Sequence, residues 1–131
     1  MHQKVSRLFL VLGSISATTA VALGAFGAHG LKNTLTPDLL LVFETAVRYQ
    51  MYHAFALLIA GILAMSSQNL NIRTLELAGW SFVVGTVVFC GSLYTLVLFN
   101  QHWLGAITPL GGLAFIFGWL LLGWTYLRTS G

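Results

Sequence analysis

Apolar residues run along this chain in four long stretches, broken by short polar segments. The stretches cover about residues 8–28, 39–65, 77–99 and 104–127. A bilayer core about 30 Å thick is crossed by about 20 apolar residues in a helix. Each stretch meets that length. The pattern predicts an all-α fold, an integral membrane antiparallel four-helix bundle, with residues 1–131 forming a single domain. The connections are too short for a soluble domain. Left-handed packing is expected.

Local signals sharpen two of the spans. Thr36 is a plausible N-cap for the second, with Pro37 at the first helical position and Asp38 in the first turn. A helix from Pro37 to Met65 would be about 44 Å long at about 1.5 Å per residue. Its lead-in is therefore expected at the outer interface, with His53 roughly 10 Å below the outer surface. In the fourth span Pro109 is expected to weaken the helix, with Thr108 re-satisfying local backbone. Ser16, Ala20, Gly24 and Ala28 recur every four residues in the first span, a small-residue stripe that lets a second helix approach closely. Gly111, Ala114 and Gly118 offer a similar stripe in the fourth, and Ser81, Gly85 and Ser92 in the third.

Composition removes several classes of protein. The chain is 57% hydrophobic and 7% charged, with a mean hydropathy of +0.85, against about 25% charged in a soluble domain. A soluble enzyme, a disordered chain and a disulfide-stapled secreted domain are excluded. Cys90 is the single cysteine and has no intramolecular partner. The net charge of +3 comes from six scattered Lys and Arg residues, so no basic run points to nucleic acid.

Charge also predicts orientation. Lys4, Arg7, Arg73 and Arg128 fall on one side and Lys32 on the other, which puts both termini in the cytoplasm. Trp80, Trp124 and Tyr126 then anchor the inner interface and Trp103 the outer one. Lys4 and Arg7 ahead of an apolar run resemble a secretory signal, but the run is too long for one. An uncleaved first span is expected.

The polar residues of the spans are not scattered. His29 ends the first span; Glu44, Arg48, Tyr49, Gln50, Tyr52 and His53 lie in the outer half of the second. Ser92, Tyr94 and Thr95 lie in the outer half of the third, and Thr108 opens the fourth. Antiparallel threading brings these groups to one depth, and ionisable residues within spans mark functional sites. Glu44 and Arg48 have the i,i+4 spacing of an interfacial ion pair. His29 and His53 raise the question of axial haem ligation. There is no phosphate-cradling glycine loop, no zinc-type Cys/His spacing and no recognisable Ser/His/Asp arrangement.

Four motifs occur in order: Ala25-Phe26-Gly27-Ala28-His29, Tyr49-Gln50-x-x-His53, Gly91-Ser92-Leu93-Tyr94 and Thr108-Pro109-Leu110-Gly111-Gly112. In these the chain resembles the small four-span bacterial inner-membrane proteins grouped as domain of unknown function 423, which also have a eukaryotic relative. The resemblance covers all four spans. It implies a protein of this size and topology, and it points to His29, Tyr49, Gln50, His53, Ser92, Tyr94, Thr108, Pro109 and Gly111. Glu44 and Arg48 are outside the pattern, and no reaction is implied.

The chain is therefore expected to be a non-enzymatic structural or accessory membrane component. It is expected to self-associate, with membrane lipids as partners and no catalytic or metal residues. Its outer-leaflet cluster would bind a lipid or a small ligand. Two alternatives stand beside this: a proton-linked permeation unit using His53, and a quinone- or haem-binding membrane protein. The cofactor is left open.

Overall fold

The computed structural model describes residues 2–66 and 69–128. Four helical rods, Gln3–Leu31, Pro37–Ser66, Ile72–Phe99 and His102–Leu127, are long and apolar enough to cross a membrane, and no strand occurs among the described residues. The first contains α1 (His2–Phe26) and ends in a π-helical turn, Gly27–Leu31. The second is α2 (Pro37–Ser66). The third is α3 (Ile72–Gly85), a π-helical turn at Thr86–Cys90, and α4 (Gly91–Phe99). The fourth opens with a 3₁₀ turn, His102–Ala106, and continues as α5 (Thr108–Leu127).

The helix ends follow from identifiable residues. Thr36 accepts the Leu39 N–H at 3.3 Å, and Pro37 opens α2 as its position predicted. The third rod begins at Ile72 rather than near residue 77, because Asn71 caps it by accepting the Thr74 N–H at 3.3 Å. Asn100 stops α4 in the left-handed conformation, φ 54°, which Asn adopts more readily than most residues. Pro109 does not weaken the fourth helix. It sits in the first turn of α5, where its missing N–H has no intrahelical acceptor to lose.

Rods two and three form the centre of the bundle, and the first and fourth flank them. α1 packs along α2, and α5 along α3. Ser6, Gly13, Ala20 and Gly27 are the buried small residues of the first rod. They recur every seven residues, the spacing of a left-handed pair, which drifts only about 20° per repeat. The four-residue stripe departs from this seam. Ala20 lies on it, Ser16 and Gly24 flank it half-buried, and Ala28 is exposed. A step of four overshoots one turn, so Ala28 has rotated off the face. Gly111, Gly118 and Thr125 repeat the seven-residue spacing on α5.

Phenylalanine rings fill the gaps that the glycines leave. Phe9 covers Gly79, Phe43 covers Gly27, Phe82 covers Gly118 and Phe115 covers Gly85, each so closely that a Cβ would overlap the ring. The main core cluster includes Phe9, Leu75, Phe82, Cys90, Leu93 and Phe115. A second unites Leu31, Phe43, Leu96 and Val97. The outward faces carry Val11, Leu41, Ile62, Leu113 and Leu120, all exposed, as a surface in contact with acyl chains requires.

Candidate functional site

Gln50 lies near the middle of α2, opposite Ser16 near the middle of α1. Its Nε2 donates to the Ser16 carbonyl at 2.9 Å. Its Oε1 accepts the Tyr94 hydroxyl at 2.7 Å. One amide thus ties three helices together using one donor and one acceptor. Gln50 thus sits near the middle of α2 and Tyr94 near the middle of α4.

Ser92 and Thr108 form a separate link. Their hydroxyls are 2.7 Å apart and join α4 to the start of α5. Ser92 also reaches the Phe89 carbonyl at 2.9 Å, and Thr108 the Leu104 carbonyl at 3.2 Å. Thr108 therefore serves the local backbone as its position suggested. The π-helical turn before Ser92 brings the backbone of Phe89 against Gly111, where a Cβ would strike Phe89 main-chain atoms. Gly111 is the residue that lets α5 approach this turn. Cys90, in the same turn, donates its thiol to the Ala46 carbonyl of α2 at 3.3 Å.

His53 lies one turn beyond Gln50 and is 4% exposed. Trp119 donates its indole N–H to His53 Nε2 at 3.1 Å. The indole is a donor only, so Nε2 is the acceptor and the proton sits on Nδ1. Nδ1 lies 2.6 Å from the Tyr49 carbonyl and donates to it. Both ring nitrogens of a neutral imidazole are therefore occupied. The imidazole also stacks on Phe115, with centroids 3.5 Å apart and planes 10° from parallel. Tyr49 lies 12° from the plane of His53 and packs on Phe89 at 4.6 Å.

These rings stand between α2 and α5, whose backbones do not meet closely. They wall a groove of about 510 Å³. Tyr49, Tyr52 and His53 contribute from α2, Phe89 from the π-helical turn, and Gly112, Phe115, Ile116 and Trp119 from α5. The hydroxyls of Tyr49 and Tyr52 have no hydrogen-bond partner among the described residues, and both side chains are exposed at the rim.

The polar residues that share a stretch of sequence are thus divided by direction. Tyr49 and His53 meet at the groove. Gln50 turns to Tyr94, and Ser92 to Thr108. His29 is exposed in the π-helical turn that ends the first rod and joins none of these groups. It is not brought to His53, so the two do not form a pair of axial ligands. Glu44 and Arg48 are paired at 3.6 Å on the exposed side of α2, beside Gly24 and Gly27 and away from the groove. No group of three or more His, Cys, Asp or Glu residues is placed to hold a metal ion among the described residues.

Trp119, Phe89 and Phe115 complete the site and were not singled out from sequence. One signal was present. Trp119 is a tryptophan in mid-span, away from the interfaces where Trp is enriched, and a buried indole N–H needs an acceptor.

Comparison with known proteins agrees with this architecture. Residues 23–112 match the family model described as "Protein of unknown function (DUF423)". A UPF0382 membrane protein of Staphylococcus aureus is 47% identical over 116 residues, 88% of this chain and 92% of the relative. The UPF0382 membrane protein YwdK of Bacillus subtilis is 46% identical over 88% of this chain and 93% of its own length. A UPF0382 membrane protein of Staphylococcus epidermidis is 43% identical over 95% of this chain and 99% of its own. No solved structure matches. The chain belongs to the DUF423 family of membrane proteins.

Proposed function

We propose that this member of the DUF423 family is a small, non-enzymatic component of the bacterial inner membrane. It holds an apolar, ring-bearing molecule, dissolved in the bilayer, in the groove between α2 and α5. The observation that carries this reading is the wall of near-parallel rings, Tyr49, His53 and Phe115, under a rim of two unpartnered phenol hydroxyls. Such a wall stacks a flat ring, and the phenols donate to its carbonyl or ether oxygens. An isoprenoid quinone has this chemistry. Pockets of about 300–1,000 Å³, mostly apolar with a few polar groups, are those that take small molecules.

Acid–base work is not part of the proposal. His53 is committed on both nitrogens, and Gln50 and Tyr94 are committed to each other. The same commitments count against a permeation path through His53. Both termini are placed in the cytoplasm on the distribution of Lys and Arg, and self-association is part of the proposal.

Gly112 provides the test. A Cβ there makes only ordinary contact with Phe89, the nearest atom being 3.9 Å away, so Gly112→Leu fills the groove without prying helices apart. Trp80, Trp103 and Trp124 are replaced by Phe, leaving Trp119 as the reporter. Added decylubiquinone should quench its fluorescence saturably, and Gly112→Leu should abolish the saturable part. Linear quenching that is equal in both proteins contradicts the proposal.

A further inference from the structure

A charged pair interrupts the lipid-facing side of α2. Leu41, Arg48, Phe55 and Ile62 recur every seven residues along it, and all four are exposed. Three are apolar, as contact with acyl chains requires; Arg48 is the exception. Its guanidinium lies 3.6 Å from the Glu44 carboxylate, beyond hydrogen-bond range. Neither side chain has a hydrogen bond among the described residues. The pair also borders a groove of about 190 Å³ between α1 and α2, lined otherwise by Gly24, Gly27, Phe43 and Val47.

Depth makes these open donors and acceptors costly. With 30 residues, α2 is about 45 Å long, about 15 Å more than the bilayer core. Arg48 follows Pro37 by eleven residues, about 16 Å along the helix. Wherever the core falls within the helix, the Arg48 backbone therefore lies at its edge or inside it. Side chains lean toward a helix N-terminus, which here is the nearer membrane surface. Arg48 thus extends its guanidinium up to the headgroups, with its stem along the apolar face. Glu44 stands one turn closer to that surface.

We infer that this face seats one phospholipid bearing a primary amine, with its phosphate on Arg48, its ammonium on Glu44 and an acyl chain in the groove. Charge complementarity selects this occupant. Such a headgroup is a zwitterion whose phosphate lies inward of its amine. The helix presents Arg48 and Glu44 in the matching order. A guanidinium meets a phosphate with a fork of N–H donors, and an ammonium brings three donors to a carboxylate. An anionic lipid would gain at Arg48 and be repelled by Glu44. A quaternary amine carries the charge but has no N–H for Glu44. The site is separate from the aromatic groove and does not depend on what that groove binds.

Lipid titration of the delipidated, intact protein, read by native mass spectrometry, tests this. The probes are palmitoyl-oleoyl phosphatidylethanolamine, phosphatidylglycerol and phosphatidylcholine. The wild type should bind one phosphatidylethanolamine about fivefold more tightly than either other lipid, the pull of about one basic residue on a headgroup. Arg48→Gln should remove that preference. Glu44→Gln should reverse it, so that phosphatidylglycerol binds best, because the site then carries an unopposed positive charge. Both side chains are exposed, so neither variant disturbs the core. Equal binding of the three lipids by the wild type, or an order that neither variant changes, overturns the inference. If Arg48→Gln breaks up an oligomer and leaves phosphatidylethanolamine binding unchanged, a second copy covers this face and the inference also fails.

Discussion

Helix α2 meets α1 through its backbone and α5 through its rings. Against α1 it sets glycine and alanine, so that Gly13 lies within 3.0 Å of the Ala54 carbonyl when given a Cβ. The contact runs nearly the length of both helices, and Gln50 and Ser6 add hydrogen bonds at 2.9 and 2.6 Å. Against α5 it sets Tyr49 and His53, which hold the helices apart and leave a groove. Around Gly13 and Gly61 the first seam has no room for an added Cβ without a shift. The second has its polar atoms satisfied inside and its phenols open at the rim. The contrast teaches that dispersion and close backbone approach build this bundle, while the aromatic seam leaves the open groove in which a guest is proposed.

The comparison breaks first if the α1–α2 seam tolerates bulk. Gly13→Leu should cost about 3 kcal/mol or prevent folding, because overpacking against a backbone carbonyl has no flexible end to yield. Unfolding by SDS titration would show it, and a wild-type midpoint would refute the dense seam. Gln50→Leu should cost about 1–2 kcal/mol, since it removes the second bond to the Ser16 carbonyl and leaves the Tyr94 hydroxyl unpaired. Tyr94→Phe made in the Gln50→Leu background should add little further loss, and a full additional loss would mean the two are not coupled. Trp119→Phe should cost only about 0.5–1 kcal/mol, by releasing His53 Nε2. The imidazole ¹⁵N resonance of Nε2 should shift in that variant, and an unmoved resonance would remove the bond from the account. Gly112→Leu should change stability by no more than about 0.5 kcal/mol, because it grows into open space.

Length and hydropathy made the four spans legible, and Thr36–Pro37–Asp38 made the start of α2 legible. Each is a local signal. The seam residues were less so, because a stripe spaced by four reads as one face over two turns and as a spiral over four; Ala28 is where the difference shows. The partners within the polar cluster were not legible in the sequence. Residues 49, 50 and 53 lie within about one turn of α2, but each successive residue turns about 100°. Gln50 therefore faces α1 and α4, while Tyr49 and His53 face α5. The π-helical turn at Thr86–Cys90 inserts a further rotation that no residue pattern announces. It moves Phe89 into the groove and against Gly111. Trp119 carried a signal of its own, a donor in mid-span without an adjacent acceptor in sequence.

The central claim is that the aromatic seam holds a membrane-dissolved guest. Native mass spectrometry of gently solubilised protein, wild type beside Gly112→Leu, tests it most directly. The account predicts a specific ring-bearing adduct on the wild type. That adduct should be missing from Gly112→Leu at an unchanged unfolding midpoint and an unchanged oligomeric state. No adduct on the wild type, or the same adduct on both proteins, would contradict it.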